Sequence, residues 1–237
     1  MRFTKTNKIV VLTGAGVSAE SGLKTFRDSD GLWENYRVED VATSEAFNNN
    51  PELVWEFYKQ RYEQLKTAKP NPAHFALKKL EDLTGDNFSL ITQNIDGLHT
   101  QAGNRNVIEM HGSIGRCFCV KCNNDYSISE INLDELIPSC PECKGMLRPD
   151  VVWFGELPYH LDRINDLIKE ADYFIIIGTS GMVYPAAGFL QVAKYYKAIT
   201  IGINREKPAN FQFIDRFYQG KAGELLPKLV DEWMEEG

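Results

Sequence analysis

The sequence lacks the features that would assign it to a membrane or to a nucleic acid. No apolar run approaches the roughly 20 residues of a membrane span. Lys and Arg (26) are outnumbered by Asp and Glu (33), and the resulting net charge of −7 argues against non-specific binding to nucleic acid or anionic membranes. The N-terminal apolar run is short and ends in glycine, which is typical of a first strand rather than a signal peptide. We therefore expect a cytoplasmic protein with no nucleic-acid or membrane partner.

Cysteine is also scarce, and its pattern is informative. Four of the five cysteines form two CxxC pairs, which in a reducing compartment indicate a metal rather than disulfides. Cys119 with Cys122, and Cys140 with Cys143, are separated by 17 residues. This spacing is typical of a closed, tetrahedral structural zinc site, and four thiolates leave no open position for catalysis. Cys117 is the spare cysteine.

Five short apolar runs predict the strands of a parallel sheet. They are KIVVLTG, FSLITQN, NVIEMHG, YFIIIGT and AITIGIN, and each stops at Gly, Asn or Thr. Continuous apolar runs suit strands that are covered on both faces. Helical patterns cover 51–67, 73–83 and 160–171, and GELLPKLVDEW predicts a C-terminal helix. The alternation predicts an α/β fold with a Rossmann-like, doubly wound parallel sheet.

Two segments interrupt the alternation and predict a second, smaller domain. The predicted Rossmann-like domain consists of 1–35, 84–115 and 151–237. A helical insertion, 36–83, and a zinc-ribbon insertion, 116–150, form the small domain. No internal repeat or low-complexity tract is present, and a monomer is the default expectation for so compact a chain. Ligands of such folds bind beyond the carboxyl ends of the strands, so the residues after each strand matter most.

A glycine-rich loop follows the first predicted strand. Gly14, Ala15 and Gly16 open the segment GAGVSAESG, which fits G-x-G-x-x-A with Ala19 in the last position. Such a loop lets backbone N–H groups approach a pyrophosphate, although a plain strand-to-helix turn is an equal alternative for this motif alone. No second strand ending in an acid follows about 20 residues later, as a dehydrogenase requires. We therefore expect a dinucleotide site that does not serve hydride transfer.

Polar side chains follow two further strands. Gln93, Asn94 and Asp96 lie in the segment TQNIDGLH, which could be a simple turn but also suits a ribose and a carboxamide. His111 follows NVIEM directly, and Gly112 leaves room beside it. A lone histidine is more often structural than catalytic, but this one comes after a strand that should end at the same crevice.

These motifs, in this order, resemble the sirtuin family of NAD-dependent protein lysine deacylases. GAGVSAESGLKTFR and DGLW are followed by ITQNIDGLH, HGS, the paired CxxC, VVWFGE, GTSGMVYPAA and GIN. The resemblance covers nearly the whole chain, and the ordered set is far more specific than one glycine motif. It implies NAD as cofactor, one structural zinc ion held by the CxxC pairs, and acylated-lysine proteins as substrates.

The resemblance also implies roles for individual residues. The acyl oxygen attacks the ribose carbon that bears nicotinamide, and nicotinamide leaves. His111, as general base, then helps to deprotonate a ribose hydroxyl, and the acyl group ends on ADP-ribose. Asn94 belongs to the catalytic pair with His111, and Gln93 and Asn94 hold the nicotinamide ribose while Asp96 holds the nicotinamide amide. The implied cofactor contacts are Gly14, Ala15, Gly16, Ser18, Ala19, Phe26, Arg27, Trp33, Gln93, Asn94, Ile95, Asp96, Gly178, Thr179, Ser180, Asn204, Arg205, Glu206 and Ala222.

By the same resemblance, a substrate peptide adds as a strand between VVWFGE and GMVYP, although VVWFGE could be a plain edge strand. Main-chain pairing would bind many sequences, and the acyl-lysine would enter an apolar tunnel. The implied substrate contacts are Val152, Phe154, Gly155, Glu156 and Val183.

An arginine interrupts the apolar stripe of the helical segment 51–67. Val54, Phe57, Tyr58, Arg61 and Leu65 share one face at 100° per residue. A guanidinium on that face needs an anion, and Arg with a nearby Tyr hydroxyl suits a carboxylate. The pair resembles the Tyr-x-x-Arg of the sirtuin branch that removes succinyl, malonyl or glutaryl groups. An internal salt bridge is the alternative, and such enzymes also remove acetyl groups.

Two other functions use the same cofactor site. Transfer of ADP-ribose to a protein would give a modified protein instead of O-acyl-ADP-ribose. A non-catalytic NAD sensor would have no need of His111 or Asn94, yet both are present. The expected function is NAD-dependent deacylation, with desuccinylation or demalonylation.

Overall fold

The computed structural model describes residues 1–23, 32–33 and 36–234, and for residues 32 and 33 the backbone alone. The strands in these residues are β1 (Ile9–Thr13), β2 (Leu32–Trp33), β3 (Tyr36–Arg37), β4 (Phe88–Thr92), β5 (Val107–Glu109), β6 (Gly112–Cys119), β7 (Asp125–Ser127), β8 (Leu147–Val151), β9 (Tyr173–Ile177), β10 (Ile199–Asn204) and β11 (Arg216–Gln219). The α-helices are α1 (Val38–Val41), α2 (Ser44–Asn49), α3 (Pro51–Leu65), α4 (Pro72–Thr84), α5 (Leu98–Gln101), α6 (Leu161–Glu170), α7 (Ala186–Tyr195) and α8 (Ala222–Met234).

A six-stranded parallel sheet has the order β11-β10-β9-β1-β4-β5. All five residues of β1 are buried, because strands lie on both sides of it and helices cover both faces. From β1 the chain builds outward in one direction through β4 and β5, and later in the other through β9, β10 and β11. The order therefore reverses between β1 and β9, which is the switch point where doubly wound sheets bind ligands.

Helices cover the two faces of this sheet. On one face, α4 and α8 contribute Leu77, Leu80, Leu226 and Trp233 to a core that also contains apolar residues of β1, β4, β9 and β10. On the other face, α6 and α7 contribute a second core, which includes Ile168 and Phe189. The doubly wound architecture predicted from the sequence is confirmed.

A second layer is built on an antiparallel sheet of order β7-β6-β8. Helices α1, α2 and α3 share a core with this sheet, in which the α3 residues Trp55, Phe57 and Tyr58 are buried. The Trp55 indole donates a hydrogen bond of 2.9 Å to the Leu147 carbonyl and so joins α3 to β8. Along the chain this sheet begins at Gly112 in its central strand β6 and ends at Val151 in β8, whereas the domain boundaries stay a prediction.

The five predicted strands and four predicted helices are present, with ends that differ by a few residues from the predicted ones. The short α1, α2 and α5, the longer α7 and the edge strand β11 were not predicted. In β11 the end residues are exposed and the middle ones half-buried, so it lacks the continuous apolar run of the other strands. No helix in the described part of the chain is long and apolar enough to cross a membrane.

Candidate active site

The predicted site residues lie at the carboxyl edge of the parallel sheet. Gly14 follows β1, Gln93 follows β4, Gly178 follows β9 and Asn204 ends β10. Backbone hydrogen bonds hold the loops together: the Gly14 N–H donates to Ile177 at 3.0 Å, and the Gln93 N–H donates to Thr13 at 3.0 Å. Segments far apart in the sequence thus meet beside the switch point.

Two loops pack on each other through glycines at that switch point. The Gly16 N–H donates to the Gly178 carbonyl at 2.9 Å. A Cβ atom on Gly16 would lie 2.7 Å from the Gly178 Cα, and one on Gly14 would lie 2.9 Å from the Gly178 oxygen. Gly178 has φ +62°, and its own Cβ would lie 2.4 Å from the Val17 nitrogen. The loops can approach this closely only because all three residues lack a side chain.

The first loop continues as two single turns of 3₁₀ helix, Ala15–Val17 and Ala19–Ser21. Between them, the buried Ser18 donates a hydrogen bond of 2.7 Å to Asp96, and Ser18 accepts one of 3.1 Å from the Asn94 side chain. Asn94 also donates to the Gly14 carbonyl at 3.2 Å. Two of the predicted site residues, Asn94 and Asp96, therefore form one hydrogen-bonded group with Ser18 and the glycine loop.

Asp96 is half-buried at the edge of this group. Burial raises the pKa of Asp96, and hydrogen bonds from Ser18 and the Leu98 N–H oppose this shift without cancelling it. Ser18 is bonded to Oδ2 and Leu98 to Oδ1, so both carboxyl oxygens are held in place. Ile95 is half-buried and packs against the core of the second layer, and its backbone oxygen accepts from the Ile114 N–H at 3.0 Å.

The other half of the site lies after β9 and β10. Gln93 donates to the Thr179 hydroxyl at 3.2 Å, and Asn204 donates to the Thr179 carbonyl at 2.8 Å. The Ser180 hydroxyl accepts from the Met182 N–H at 3.2 Å. Gln93 thus connects the two halves across the switch point. Arg205 and Glu206 are exposed beyond β10, and Ala222 is buried at the start of α8.

His111 lies beyond β5, next to the Gln93 loop. Its Nδ1 atom is 3.0 Å from the Gln93 carbonyl oxygen. A carbonyl can only accept, so the neutral ring carries its proton on Nδ1 and leaves Nε2 as the basic atom. Burial lowers the pKa of His111 below its ordinary 6.5, and the contact with Gln93 opposes the shift only in part. The imidazole is thereby prepared to accept a proton at neutral pH.

The backbone around His111 joins the site to the second layer. The His111 carbonyl accepts from the Val152 N–H at 3.0 Å, so the predicted base and the predicted substrate segment are adjacent. Gly112 has φ +77°, and a Cβ there would lie 2.1 Å from the Asp150 oxygen. Arg116 donates to Glu109 at 2.7 Å and to Asp150 at 2.9 Å, which holds the two strands that flank His111.

Sequence reasoning missed a buried histidine behind Ser18. His74, in the first turn of α4, is fully buried and its Nε2 lies 3.5 Å from the Ser18 oxygen. The Asn71 N–H donates to His74 Nδ1 at 3.2 Å, so Nε2 carries the proton. His99 lies beside it, with ring centroids 4.7 Å apart, and its Nε2 lies 3.0 Å from the Thr13 hydroxyl oxygen. A capping asparagine before Pro72 was the available signal for the start of α4, but nothing in the sequence indicated the contact with Ser18.

The four cysteines of the CxxC pairs converge in the second layer. Their Sγ atoms all lie within 4.8 Å of one another, with 3.5 Å between Cys119 and Cys143 and 3.7 Å between Cys122 and Cys140. A tetrahedral zinc ion with Zn–S bonds of about 2.3 Å requires S···S distances of roughly 3.8 Å. The donor set therefore fits one closed zinc site. Cys117 is outside the cluster, with its sulfur 3.8 Å from the Tyr126 carbonyl.

Tyr58 and Arg61 lie on the buried face of α3, as the stripe predicted. Tyr58 is 2% exposed and Arg61 is 8% exposed, which is low for a guanidinium. The Arg61 guanidinium lies 5.1 Å from the centre of the Phe57 ring. The Tyr58 hydroxyl accepts a hydrogen bond of 2.9 Å from the indole of Trp153, a residue of the predicted substrate segment. Burial raises the pKa of Tyr58, so the phenol stays protonated.

The substrate segment after β8 alternates in exposure. Val152 is half-buried, Trp153 is buried and Phe154 is 49% exposed, with the Phe154 N–H donating to Ala42 at 3.0 Å. Gly155 and Val183 are exposed.

The Glu156 carboxylate accepts hydrogen bonds from other residues of the protein. It accepts from Arg148 at 2.7 Å, from Ser44 at 2.5 Å and from the Trp153 N–H at 2.9 Å. Partial burial opposes ionisation, but these hydrogen bonds outweigh it and lower the pKa of Glu156. Its predicted contact with substrate stays a prediction.

Three predicted cofactor contacts cannot be located. Phe26 and Arg27 lie outside the described residues, and of Trp33 only the backbone is described, in the two-residue strand β2.

Comparisons with known proteins agree with this site. A profile described as Sir2 family matches residues 14–185. An NAD-dependent protein deacylase of Bdellovibrio bacteriovorus is 49% identical over 230 residues, which cover 96% of this chain and 97% of that protein. A second protein of that description, from Pyrococcus abyssi, is 51% identical over 230 residues, or 94% of this chain and 92% of the other.

Solved structures of Sir2 proteins also align with nearly the whole of this chain. A Sir2 homologue–NAD complex aligns with a TM-score of 0.86 and 41% identity, over 97% of this chain and 90% of that one. A Sir2–p53 peptide–NAD+ complex aligns with a TM-score of 0.84 and 31% identity, over 94% of this chain and 92% of that one.

Proposed function

We infer that this chain, which belongs to the Sir2 family, is an NAD-dependent protein deacylase. The observation that carries this inference is the meeting of the glycine loop, the Asn94–Asp96 group and His111 at the carboxyl edge of one parallel sheet. A doubly wound sheet binds dinucleotides at this edge, and a neutral imidazole there supplies the base that acyl transfer requires.

NAD, when bound, supplies the ribose to which the acyl group of lysine is transferred. Ser18, Asn94 and Asp96 form a pre-organised polar surface, since each is already oriented by hydrogen bonds to the others or to the backbone. His111 Nε2 accepts the proton, while Nδ1 stays bonded to Gln93. We propose that the Gly14–Gly16 loop approaches the pyrophosphate and that Thr179, Ser180 and Asn204 serve the adenosine half.

The zinc ion has a structural role. Cys119, Cys122, Cys140 and Cys143 would hold it with four thiolates, and no coordination position is left for a substrate. Its contribution is to cross-link the loops of the small antiparallel sheet that carry the four cysteines.

We propose a preference for acyl groups that end in a carboxylate. Arg61 is 8% exposed and Tyr58 is 2% exposed, and together they place a cation and a protonated phenol on one helix face. Arg presents paired N–H groups that match a carboxylate. Succinyl- and malonyl-lysine proteins are therefore the proposed substrates beside acetyl-lysine proteins. We further propose a monomer that acts in the cytoplasm, without a nucleic-acid or membrane partner.

The test is a mass-spectrometric time course on one peptide that carries either succinyl-lysine or acetyl-lysine, with and without NAD. Wild type should release nicotinamide and form O-acyl-ADP-ribose from both peptides. Arg61→Met should lower the ratio of the succinyl to the acetyl rate at least tenfold, and Arg61→Lys, which keeps the charge but not the fork, should lower it less. An unchanged ratio in Arg61→Met would return Arg61 to an internal role. ADP-ribosylated protein without O-acyl-ADP-ribose would identify a transferase instead.

A further inference from the structure

A tyrosine beside the first CxxC pair contacts a cysteine of the second pair. The first pair lies in the hairpin of β6 and β7, where the Cys119 N–H donates to the Asn124 carbonyl at 2.9 Å. Antiparallel pairing places Tyr126 opposite Cys117 in this hairpin. The Tyr126 hydroxyl oxygen lies 3.1 Å from the Sγ atom of Cys140, which belongs to the second pair. The contact therefore connects the two halves of the cysteine cluster.

Metal coordination decides the direction of this hydrogen bond. A cysteine binds zinc as a thiolate, which has no proton to donate. The Tyr126 hydroxyl is then the donor and the Cys140 sulfur is the acceptor, and the bond is strengthened by the charge on the sulfur. Such a donor both fixes the position of the sulfur and withdraws part of its charge.

Cys140 lies where water cannot supply this hydrogen bond. It is 0% exposed, whereas Cys143 of the same pair is half-buried. Four thiolates around one zinc ion carry more negative charge than the ion neutralises, and buried charge is costly unless hydrogen-bond donors compensate it. The equally buried Cys119 accepts from the Lys121 N–H at 3.4 Å. For Cys140, the hydroxyl of Tyr126 takes the place of a solvent donor.

Further contacts hold the two cysteine loops together beside Tyr126. The Asn124 side chain, from the first loop, donates to Glu142 of the second loop at 2.6 Å. A Cβ atom on Gly145 would lie 3.0 Å from the Cys119 Sγ atom, so the second loop passes close to the first sulfur. These contacts restrict the position from which Tyr126 donates.

We propose that Tyr126 is a positioning residue of the zinc site, whose hydroxyl holds the Cys140 thiolate and raises the affinity of the chain for zinc. Tyr126 does not bind the ion and acts through the Cys140 sulfur. Loss of a hydrogen bond to a metal ligand typically lowers metal affinity about 10- to 100-fold, and we expect an effect of this size. The role does not depend on which acyl group is removed, so it can be tested without a deacylation assay.

The experiment measures the zinc dissociation constant of the full chain at a fixed pH, by competition with a chromophoric chelator. Tyr126→Phe removes only the hydroxyl and should raise the constant about 10- to 100-fold. Tyr159→Phe is the matched control, because it removes a hydroxyl that donates to Asp150 at 2.8 Å instead of to a cysteine. That variant should leave the constant unchanged. Wild-type zinc affinity in Tyr126→Phe, or an equal loss in both variants, would overturn the proposal.

Cobalt substitution separates a hydrogen bond to sulfur from a change in packing. The sulfur-to-cobalt charge-transfer bands of the Co²⁺-loaded chain depend on the electron density of the thiolates. Without its donor the Cys140 sulfur is richer in electrons, so the bands of Tyr126→Phe should move to lower energy, whereas those of Tyr159→Phe should not move. Lower zinc affinity without a band shift would assign the effect to packing and overturn the role of the hydroxyl.

A second variant keeps the test open if Tyr126→Phe does not fold. Incorporation of 3-fluorotyrosine at position 126 retains the ring and the hydroxyl and makes the hydroxyl a stronger donor. The charge-transfer bands should then move to higher energy, opposite to the shift expected for Tyr126→Phe. Bands that stay at their wild-type energy would overturn the proposal.

Discussion

His111 Nδ1 lies 3.0 Å from the carbonyl oxygen of Gln93, and this contact decides which nitrogen of the ring is the base. Gln93 follows β4 and also bonds to Thr179 beyond β9, so the orientation of the imidazole is tied to both sides of the switch point. The tautomer is thus set by the backbone of the cofactor loop rather than by a carboxylate.

The pH profile of deacylation should follow the titration of His111. Burial lowers the pKa of His111 below 6.5, and the base is active only when neutral, so the rate should fall as the pH drops through a value below 6.5. The acidic limb of kcat/KM against pH measures this value. His160→Asn, which changes an exposed histidine, should retain the limb, and His111→Asn should lose it together with about 10²- to 10⁴-fold in rate. An acidic limb centred above 6.5 would contradict the assignment.

Gly178 should tolerate alanine much less well than Gly97 does. Both have nearly the same φ, +62° and +68°, so both variants lose about 1 kcal/mol from the left-handed conformation. Only at Gly178 does the new Cβ also lie 2.4 Å from the Val17 nitrogen, whereas no described atom lies within 4 Å at Gly97. We expect a further loss of about 1–3 kcal/mol in the free energy of unfolding for Gly178→Ala, measured by urea denaturation, and weaker NAD binding. Equal losses in the two variants would disprove close packing of the two loops.

Much of the fold was readable because the buried strands are continuous apolar runs. KIVVLTG and YFIIIGT predicted β1 and β9, which lie at the centre of the sheet. The edge strand β11, RFYQ, was missed because its exposed positions remove that signal. The site residues after each strand could be named, since parallel strands bring their carboxyl ends to one edge.

The features of the site that the sequence did not predict are contacts between elements that lie far apart in the chain. The contact of His74 with Ser18 joins α4 to the glycine loop, and the bond from Trp153 to Tyr58 joins the segment after β8 to α3. The positions of His74 and Trp153 in the sequence give no indication of these partners. The stripe in α3 did identify Arg61 as a buried cation, because an arginine on an apolar helix face is itself the anomaly.

Zinc content should separate Cys117 from the other cysteines. Cys140→Ser removes one of four converging thiolates and should lose the metal and the folded state of the small antiparallel sheet. Cys117→Ser should retain one zinc ion per chain, because Cys117 is buried outside the cluster and burial raises the pKa of its thiol to about 12. Elemental analysis of the purified variants, with thermal unfolding, measures both effects. Zinc loss in Cys117→Ser would show that the cluster is assigned to the wrong four residues.

Acid should destabilise the fold through the two buried histidines behind Ser18. Burial lowers the pKa of His74 to about 4, and burial together with neighbouring His74 lowers that of His99 to about 3. Their neutral forms therefore favour the folded state above pH 6.5, and this stability is lost as the pH falls, because the unfolded chain binds protons that the folded chain excludes. Between about pH 6 and pH 4.5, each histidine lowers the free energy of unfolding by roughly 1.4 kcal/mol for each unit that the pH falls. His74→Gln should reduce the slope of the unfolding free energy against pH by about that amount, whatever its effect on stability at neutral pH. Equal slopes for wild type and His74→Gln would contradict this prediction. They would mean that His74 is protonated as easily in the folded chain as in the unfolded chain.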